Sequence, residues 1–450
     1  MKDFTLAEIT KACNGEYVGD ESLKNTKITS VERDSRQVKD GSLFLAIKGE
    51  RVDGHDFIEK CFAQGAVCAL CEKAPENATK PCIVVPSTLD AVKKIGRAYR
   101  EKFDIPVIGI SGSVGKTSTK EMLYAVLSQR FKTHKTQGNL NNELGVPLTL
   151  LSMPEDTEAA VIEMGISDFG EMTRLSEMVQ PTICVLTIIG ECHLENLGDR
   201  DGVLKAKTEM FKNARENADF ILNGDDDKLS TVKTVNGKKP VFFGLDAKND
   251  FYAKNIKNSG DGKVLATLCF DNNNIDVEIP AIGTYMVTNA LAAAAAGKLL
   301  GLTDEEIANG VASYKTVGSR ANVINTGKIK IIDDCYNANP TSVRASLDTL
   351  SNLDGRKVAI LGDMKELGSE ELKLHFDTGV YAKSKGIDTV ITVGELAKEL
   401  AKGADGKAFD TIEDAKPEIL KTIKSGDVVL VKASHSMQFE NIVEFLKQNF

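Results

Sequence analysis

The stretch from Pro106 to Lys120, PVIGISGSVGKTSTK, leaves the chain few choices of fold. Val107, Ile108 and Ile110 predict a short buried strand, the glycines at 109, 112 and 115 a tight loop, and Lys120 to Phe131 a helix. A strand that turns through glycines into a helix start makes an anion site, because successive N–H groups and the helix dipole converge on one point. The expected ligand is a nucleoside triphosphate. Lys116 would reach its β/γ-phosphates, and the Thr117 hydroxyl would face Mg²⁺. The general phosphate-loop pattern places a further glycine five residues before Gly115, where this chain has Ile110, so the loop is a variant.

At 450 residues the chain exceeds one ordinary core, and about 150 residues per domain gives three. The formal net charge of −9 argues against nucleic acid as a partner, since a phosphate backbone demands a basic face. The apolar runs PTICVLTIIG and ALAAAAAGKLLGL are too short to span a bilayer, and MKDFTLAEITKACNG has no signal-peptide core, so the expectation is a cytoplasmic protein without membrane contact. Nine cysteines scattered through apolar segments read as reduced, buried thiols. Cys68 and Cys71 form a CxxC, but with no second pair at zinc spacing they read as part of a core strand.

The fold class expected is α/β in three domains. Residues 1–103 form a small α/β domain and residues 104–316 a mainly parallel sheet with helices on both faces around the phosphate loop. Residues 317–450 form a Rossmann-like domain with strands at IKIIDDCYN, KVAILGDM, TVITVG and DVVLVKAS. Ligands in such sheets bind beyond the carboxyl ends of strands, where DDCYNANP, GDMKELG and KASHSMQFE all fall.

Two strand ends of the central region deliver Glu163 and His193, which with Thr117 could form an Mg²⁺ site; His193 could equally hold a water or substrate. Lys207, in DGVLKAKTEMF, is either a surface lysine or a buried one whose lowered pKa lets it take up CO₂ as a carbamate. The charged stretch DSRQVKDGSLFLAIKGERVDGHDFI (34–58) reads by itself as readily as a solvated loop as a binding segment.

GSVGKTS (112–118), GNLNNELGVPLTLL (138–151), EMG (163–165), HLE (193–195), the lysine of KAKTEMF and DDCYNANPTS (333–342) together resemble the Mur ligases, three-domain ATP-dependent amide-forming enzymes of bacterial cell-wall synthesis. Within that family, DGHDF, GNLNNELGVPLT, YNANPTS and GDMKELG look like the member that joins D-alanyl-D-alanine to UDP-N-acetylmuramoyl-tripeptide. The resemblance implies a monomer using ATP and Mg²⁺. It places Gly112, Ser113, Val114, Gly115, Lys116, Thr117 and Ser118 on the phosphates, and Thr117, Glu163, His193 and a carbamylated Lys207 around the metal. Asn289, Arg320, Asp334 and Asn337 would close around the nucleotide, Ser35 and Arg36 would lie at the UDP end, and Asn139 and Asn142 where the substrates meet. Two positions depart from the family pattern: Cys192, where alanine is usual, and Ala433, where the family has Lys-Gly-Ser. A non-catalytic nucleotide switch would need a guanine-reading Asn-Lys-x-Asp, which the chain lacks.

Overall fold

The computed structural model describes residues 1–450 except 50, 260, 261 and 272. The run from Val107 to Ser111 is a fully buried strand at the centre of a six-stranded, all-parallel sheet. Its neighbours are Ala159–Glu163 on one side and Ile183–Leu186 on the other; Thr133–Lys135 lies outside the first, Asp219–Asn223 and then Val241–Phe243 outside the second. Strands buried on both faces read as apolar runs, as the three central ones, Val107–Ser111, Ala159–Glu163 and Ile183–Leu186, largely do. The chain leaves the central strand through the phosphate loop and returns in strands on both sides of it. In sheets of this topology, ligands bind beyond the strand ends at such a reversal.

The helix after the loop spans Lys116–Leu127, four residues earlier than its apolar pattern suggests. It packs against Tyr285–Leu299, where Ala290 and Ala292 to Ala296 are all buried. Small side chains on every face let that helix lie deep among its neighbours. Its sheet-facing core continues into a three-stranded antiparallel sheet, Tyr252–Ser259, Lys263–Phe270 and Asn273–Ile279.

The first region holds a five-stranded sheet, mostly parallel, in which Cys68–Cys71 is a central buried strand. All nine cysteines are free and buried. The helix Thr88–Arg100 joins this region to the central one: Tyr99 Oη donates to Met153 O at 2.9 Å, and the buried Arg100 donates Nε to Val179 O at 2.9 Å.

The third region is a six-stranded sheet, parallel except for its Asn322–Asn325 edge, with Lys330–Asp333, Val428–Lys432 and Lys357–Gly362 in its middle. Among the described residues, no helix is long and apolar enough to cross a membrane.

Candidate active site

Gly112 has φ +148°, and a Cβ there would lie 1.9 Å from Thr187 Oγ1. The loop is stitched onto the segment following the neighbouring strand: Ser113 N donates to Ile188 O at 2.7 Å, and Thr187 Oγ1 to Val114 O at 2.6 Å. Gly115, in the left-handed region at φ +85°, starts the helix without a side-chain cap. The N–H groups of Lys116, Thr117 and Ser118 therefore have no acceptor within the helix and are available to an anion. Lys116 Nζ folds back to Gly112 O at 2.8 Å, over the space a phosphate would fill. The irregular glycine spacing has a simple cause: Ile110 is a fully buried strand residue, so the turn begins only at Gly112.

Beside the loop, the Glu163 carboxylate closes the next strand. Its Oε1 accepts from Thr117 Oγ1 at 3.1 Å and from Asn141 Nδ2 at 2.8 Å. Its Oε2 is buried without a hydrogen-bond partner, and the fully buried Lys120 Nζ is 3.7 Å away. Of the GNLNNEL run, Asn141 is thus the residue that hydrogen-bonds Glu163. Asn142 Oδ1 accepts from Gly145 N at 2.8 Å and fastens the start of the helix Gly145–Leu151, while Asn139 is exposed.

His193 sits at φ +52°, with Nδ1 2.5 Å from Glu366 Oε2 of the third region, close in distance but not aligned as a hydrogen bond. Thr341 Oγ1 donates to Glu191 Oε2 at 2.5 Å, again across the region boundary. The same segment is tied to the central sheet, where Ile189 N donates to the buried Asp226 Oδ2 at 2.9 Å and Arg200 Nε to Ile189 O at 2.8 Å. Lys207, on the helix Arg200–Thr208, is 1% exposed. Burial lowers it to about 8, with Cys192 opposing and Lys116 adding to the shift. Cys192 Sγ donates to Ser113 Oγ at 3.0 Å, so the cysteine fits against the loop where alanine was expected. No group of three or more His, Cys, Asp and Glu side chains gathers as a metal cage among the described residues.

Asn289 lies on the other side of the helix start, its Oδ1 accepting from Thr119 Oγ1 at 2.9 Å. In the third region, Arg320 stacks on Tyr336 with 3.7 Å from guanidinium carbon to ring centroid. Asp334 accepts from Lys432 Nζ at 2.6 Å and Ser346 Oγ at 2.6 Å, and Lys432 also donates to Asn337 O at 3.0 Å. Lys432, absent from the residues expected at the site, is the buried cation holding this strand end together. Ala433 is accommodated because Gly362 faces it: a Cβ on residue 362 would lie 2.7 Å from Ala433 Cβ. In the first region Arg36 pairs with Asp34 at 2.6 Å and is exposed, with Ser35 beside it. His55 of DGHDF is a tie between loops, its ring meeting Asp53 Oδ1 at 2.6 Å and accepting from Glu72 N at 2.9 Å.

Three family models match in succession: the Mur ligase family catalytic domain over residues 27–101, the Mur ligase middle domain over 110–297 and the Mur ligase glutamate ligase domain over 319–435. The UDP-N-acetylmuramoyl-tripeptide--D-alanyl-D-alanine ligase of Bacillus subtilis is 37% identical, covering 98% of this chain and 97% of that protein. A crystal structure of MurF from Acinetobacter baumannii superposes with TM-score 0.92 at 33% identity, over 100% of this chain and 99% of that one. A MurF ligase from Thermotoga maritima in complex with ADP superposes with TM-score 0.83 at 30% identity, over 93% of this chain and 97% of that one. With its phosphate loop, its Glu163 strand end and its third-region strand ends disposed as described, the chain belongs to the Mur ligase family.

Proposed function

We propose that this chain is an ATP-dependent ligase that joins D-alanyl-D-alanine to UDP-N-acetylmuramoyl-tripeptide through an acyl phosphate. It would act as a cytoplasmic monomer. Residues 1–103 would hold the UDP-linked substrate, 104–316 the nucleotide, and 317–450 would close over both and bind the dipeptide. The observation that carries the chemistry is the uncapped helix start at Gly115, with Lys116, Thr117 and Glu163 around one point. The two substrates are those named for the relatives in Bacillus subtilis and Escherichia coli.

A carboxylate is a poor electrophile, so the tripeptide's terminal carboxylate attacks the γ-phosphorus of ATP, the bond to the β–γ bridging oxygen breaks, and ADP leaves. Lys116 turns from Gly112 O to the β/γ-phosphates and offsets the repulsion between the two anions. The amine of D-alanyl-D-alanine then attacks the acyl carbon, and phosphate departs from the tetrahedral intermediate. An α-amine titrates near pH ~8, so a useful fraction is already neutral without a dedicated base.

Thr117 and Glu163 fit a divalent cation, because Glu163 Oε2 is a buried carboxylate oxygen lacking any hydrogen-bond donor. Mg²⁺ held there, with His193 and carbamylated Lys207 nearby, would neutralise charge on the phosphates. Asn289, Arg320, Asp334 and Asn337 position the nucleotide, Ser35 and Arg36 the UDP end, and Asn139 and Asn142 the junction. Acyl phosphates hydrolyse in water, which is why the third domain must close before ADP is formed.

The test is ADP release measured with UDP-N-acetylmuramoyl-tripeptide of both the lysine and the diaminopimelate type. Each is offered D-alanyl-D-alanine, single amino acids or no acceptor, and a parallel arm offers the UDP-dipeptide with a diamino acid. Turnover only with tripeptide and D-alanyl-D-alanine is expected. Turnover with dipeptide and diamino acid would assign the sibling reaction instead, and nucleotide hydrolysis without any acceptor would refute a ligase.

A further inference from the structure

A lysine one turn beyond the phosphate-binding Lys116 would ordinarily point to solvent, yet Lys120 is 1% exposed. Lysines are almost never fully buried unless paired. Its Nζ donates to Thr136 O at 2.8 Å and lies 3.1 Å from Glu121 Oε1 and 3.7 Å from Glu163 Oε2. Glu121 has a second cation, Lys135, whose ammonium also sits 4.0 Å from the Tyr124 ring centroid. Glu163 has none but Lys120 among the described residues. Thr136 ties the same two elements from the other side, its Oγ1 accepting from Glu163 N at 2.9 Å. The buried group therefore balances two cations against two anions, and one of the anions is the carboxylate that touches Thr117.

We propose that Lys120 is a positioning residue of the phosphate site: its ammonium is the resident counter-charge of Glu163 and holds that carboxylate against Thr117 and Asn141 before any nucleotide arrives. The proposal rests on the reading of Glu163 as a residue of the phosphate site. Two consequences distinguish this role from plain packing. Without Lys120, the carboxylate is a buried, unbalanced charge, so the damage should vanish when Glu163 is made neutral. And since Lys120 repels any cation bound to Glu163, its loss should tighten cation binding, where mere disruption would weaken it.

The experiment uses the full chain as wild type, Lys120→Met, Glu163→Gln and the double variant. Thermal unfolding without nucleotide should show Lys120→Met several degrees below wild type and the double variant restored to near Glu163→Gln. A double variant no more stable than Lys120→Met overturns the proposal. Should Lys120→Met fail to fold, a folded double variant supports the proposal and an unfolded one overturns it. Mn²⁺ titration of the folded proteins with saturating ADP, followed by electron paramagnetic resonance, should show Lys120→Met binding Mn²⁺ about tenfold tighter, a modest share of the Coulomb energy of a charge ~4 Å away. Equal or weaker binding overturns it. If Glu163→Gln leaves Mn²⁺ binding unchanged, the phosphate-site role of Glu163 falls while the Lys120–Glu163 coupling can still stand on the unfolding data.

Discussion

Lysine 207 offers the sharpest chemical test. Burial lowers its ammonium from the ordinary 10.5 to about 8, which raises the uncharged fraction at pH 7 from roughly 0.03% to roughly 10%. Only the neutral amine attacks CO₂, so carbamate formation gains some three-hundredfold, by order of magnitude, over an exposed lysine. The same burial costs ~3 kcal/mol of stability while the side chain stays charged. The sign follows from proton uptake. The unfolded chain binds the proton more tightly, so the penalty is complete below pH 8 and gone above pH 10.5, and stability rises through that window unless a carbamate has replaced the ammonium. The assay is carbon-13 NMR of the protein in labelled bicarbonate at pH 7 to 9. A carbamate resonance is expected in the wild type and none in Lys207→Arg, with kcat falling at least tenfold in the variant. No such resonance at saturating bicarbonate and pH 8, or one of equal intensity in Lys207→Arg, would mean that Lys207 carries no carbamate.

Gly112→Ala forces a Cβ to within 1.9 Å of Thr187 Oγ1 in a backbone conformation L residues avoid; calorimetry should show ADP binding weakened more than tenfold with the circular dichroism unchanged. Asn141→Leu removes one of two donors to Glu163 Oε1, and steady-state kinetics should show kcat reduced about 10- to 100-fold, as for other groups that orient a metal-facing side chain. Unchanged kcat would refute the positioning. His375 is fully buried and neutral, donating Nδ1–H to Glu371 O at 2.7 Å and accepting from Met364 N at 2.9 Å. Burial depresses its pKa, so the unfolded chain protonates first and stability is lost as pH falls below ~6.5. Urea midpoints at pH 7 and pH 5 should show that loss in the wild type and a smaller one in His375→Gln.

Much of the candidate site is legible because its residues lie at or beyond the ends of apolar strands: the loop after Val107–Ser111, Glu163 closing Ala159–Glu163, His193 after Ile183–Leu186 and DDCYNANP at the end of Lys330–Asp333. What escaped depends on side-chain direction and on partners distant in sequence. In GNLNNEL three asparagines compete, and only the turn before Gly145 decides that Asn141 meets Glu163 while Asn142 accepts from Gly145 N. The burial of Lys120 is not legible, because the carboxylates beside its ammonium are a neighbouring Glu121 and a Glu163 more than forty positions away. The apolar pattern starts the helix late, since Gly115 uses a left-handed backbone where a Ser, Thr or Asp cap would signal the boundary. The edge strands Thr133–Lys135, Asn322–Asn325 and Lys407–Phe409 are three or four residues long and partly to largely exposed, too short and too polar for any apolar run.

The segment from Ile189 to Glu195 is gripped from two sides. Asp226, Arg200 and Ser113 hold it to the central sheet, while Thr341 and Glu366 hold it from the third region. It therefore behaves as a gauge of the angle between the two. Any rotation of the third region pulls on Glu191 and His193 directly, before it reaches the phosphates. Substitutions at Thr341 or Glu366 would therefore reach Glu191 and His193 through this segment, without removing any contact of the phosphate loop itself.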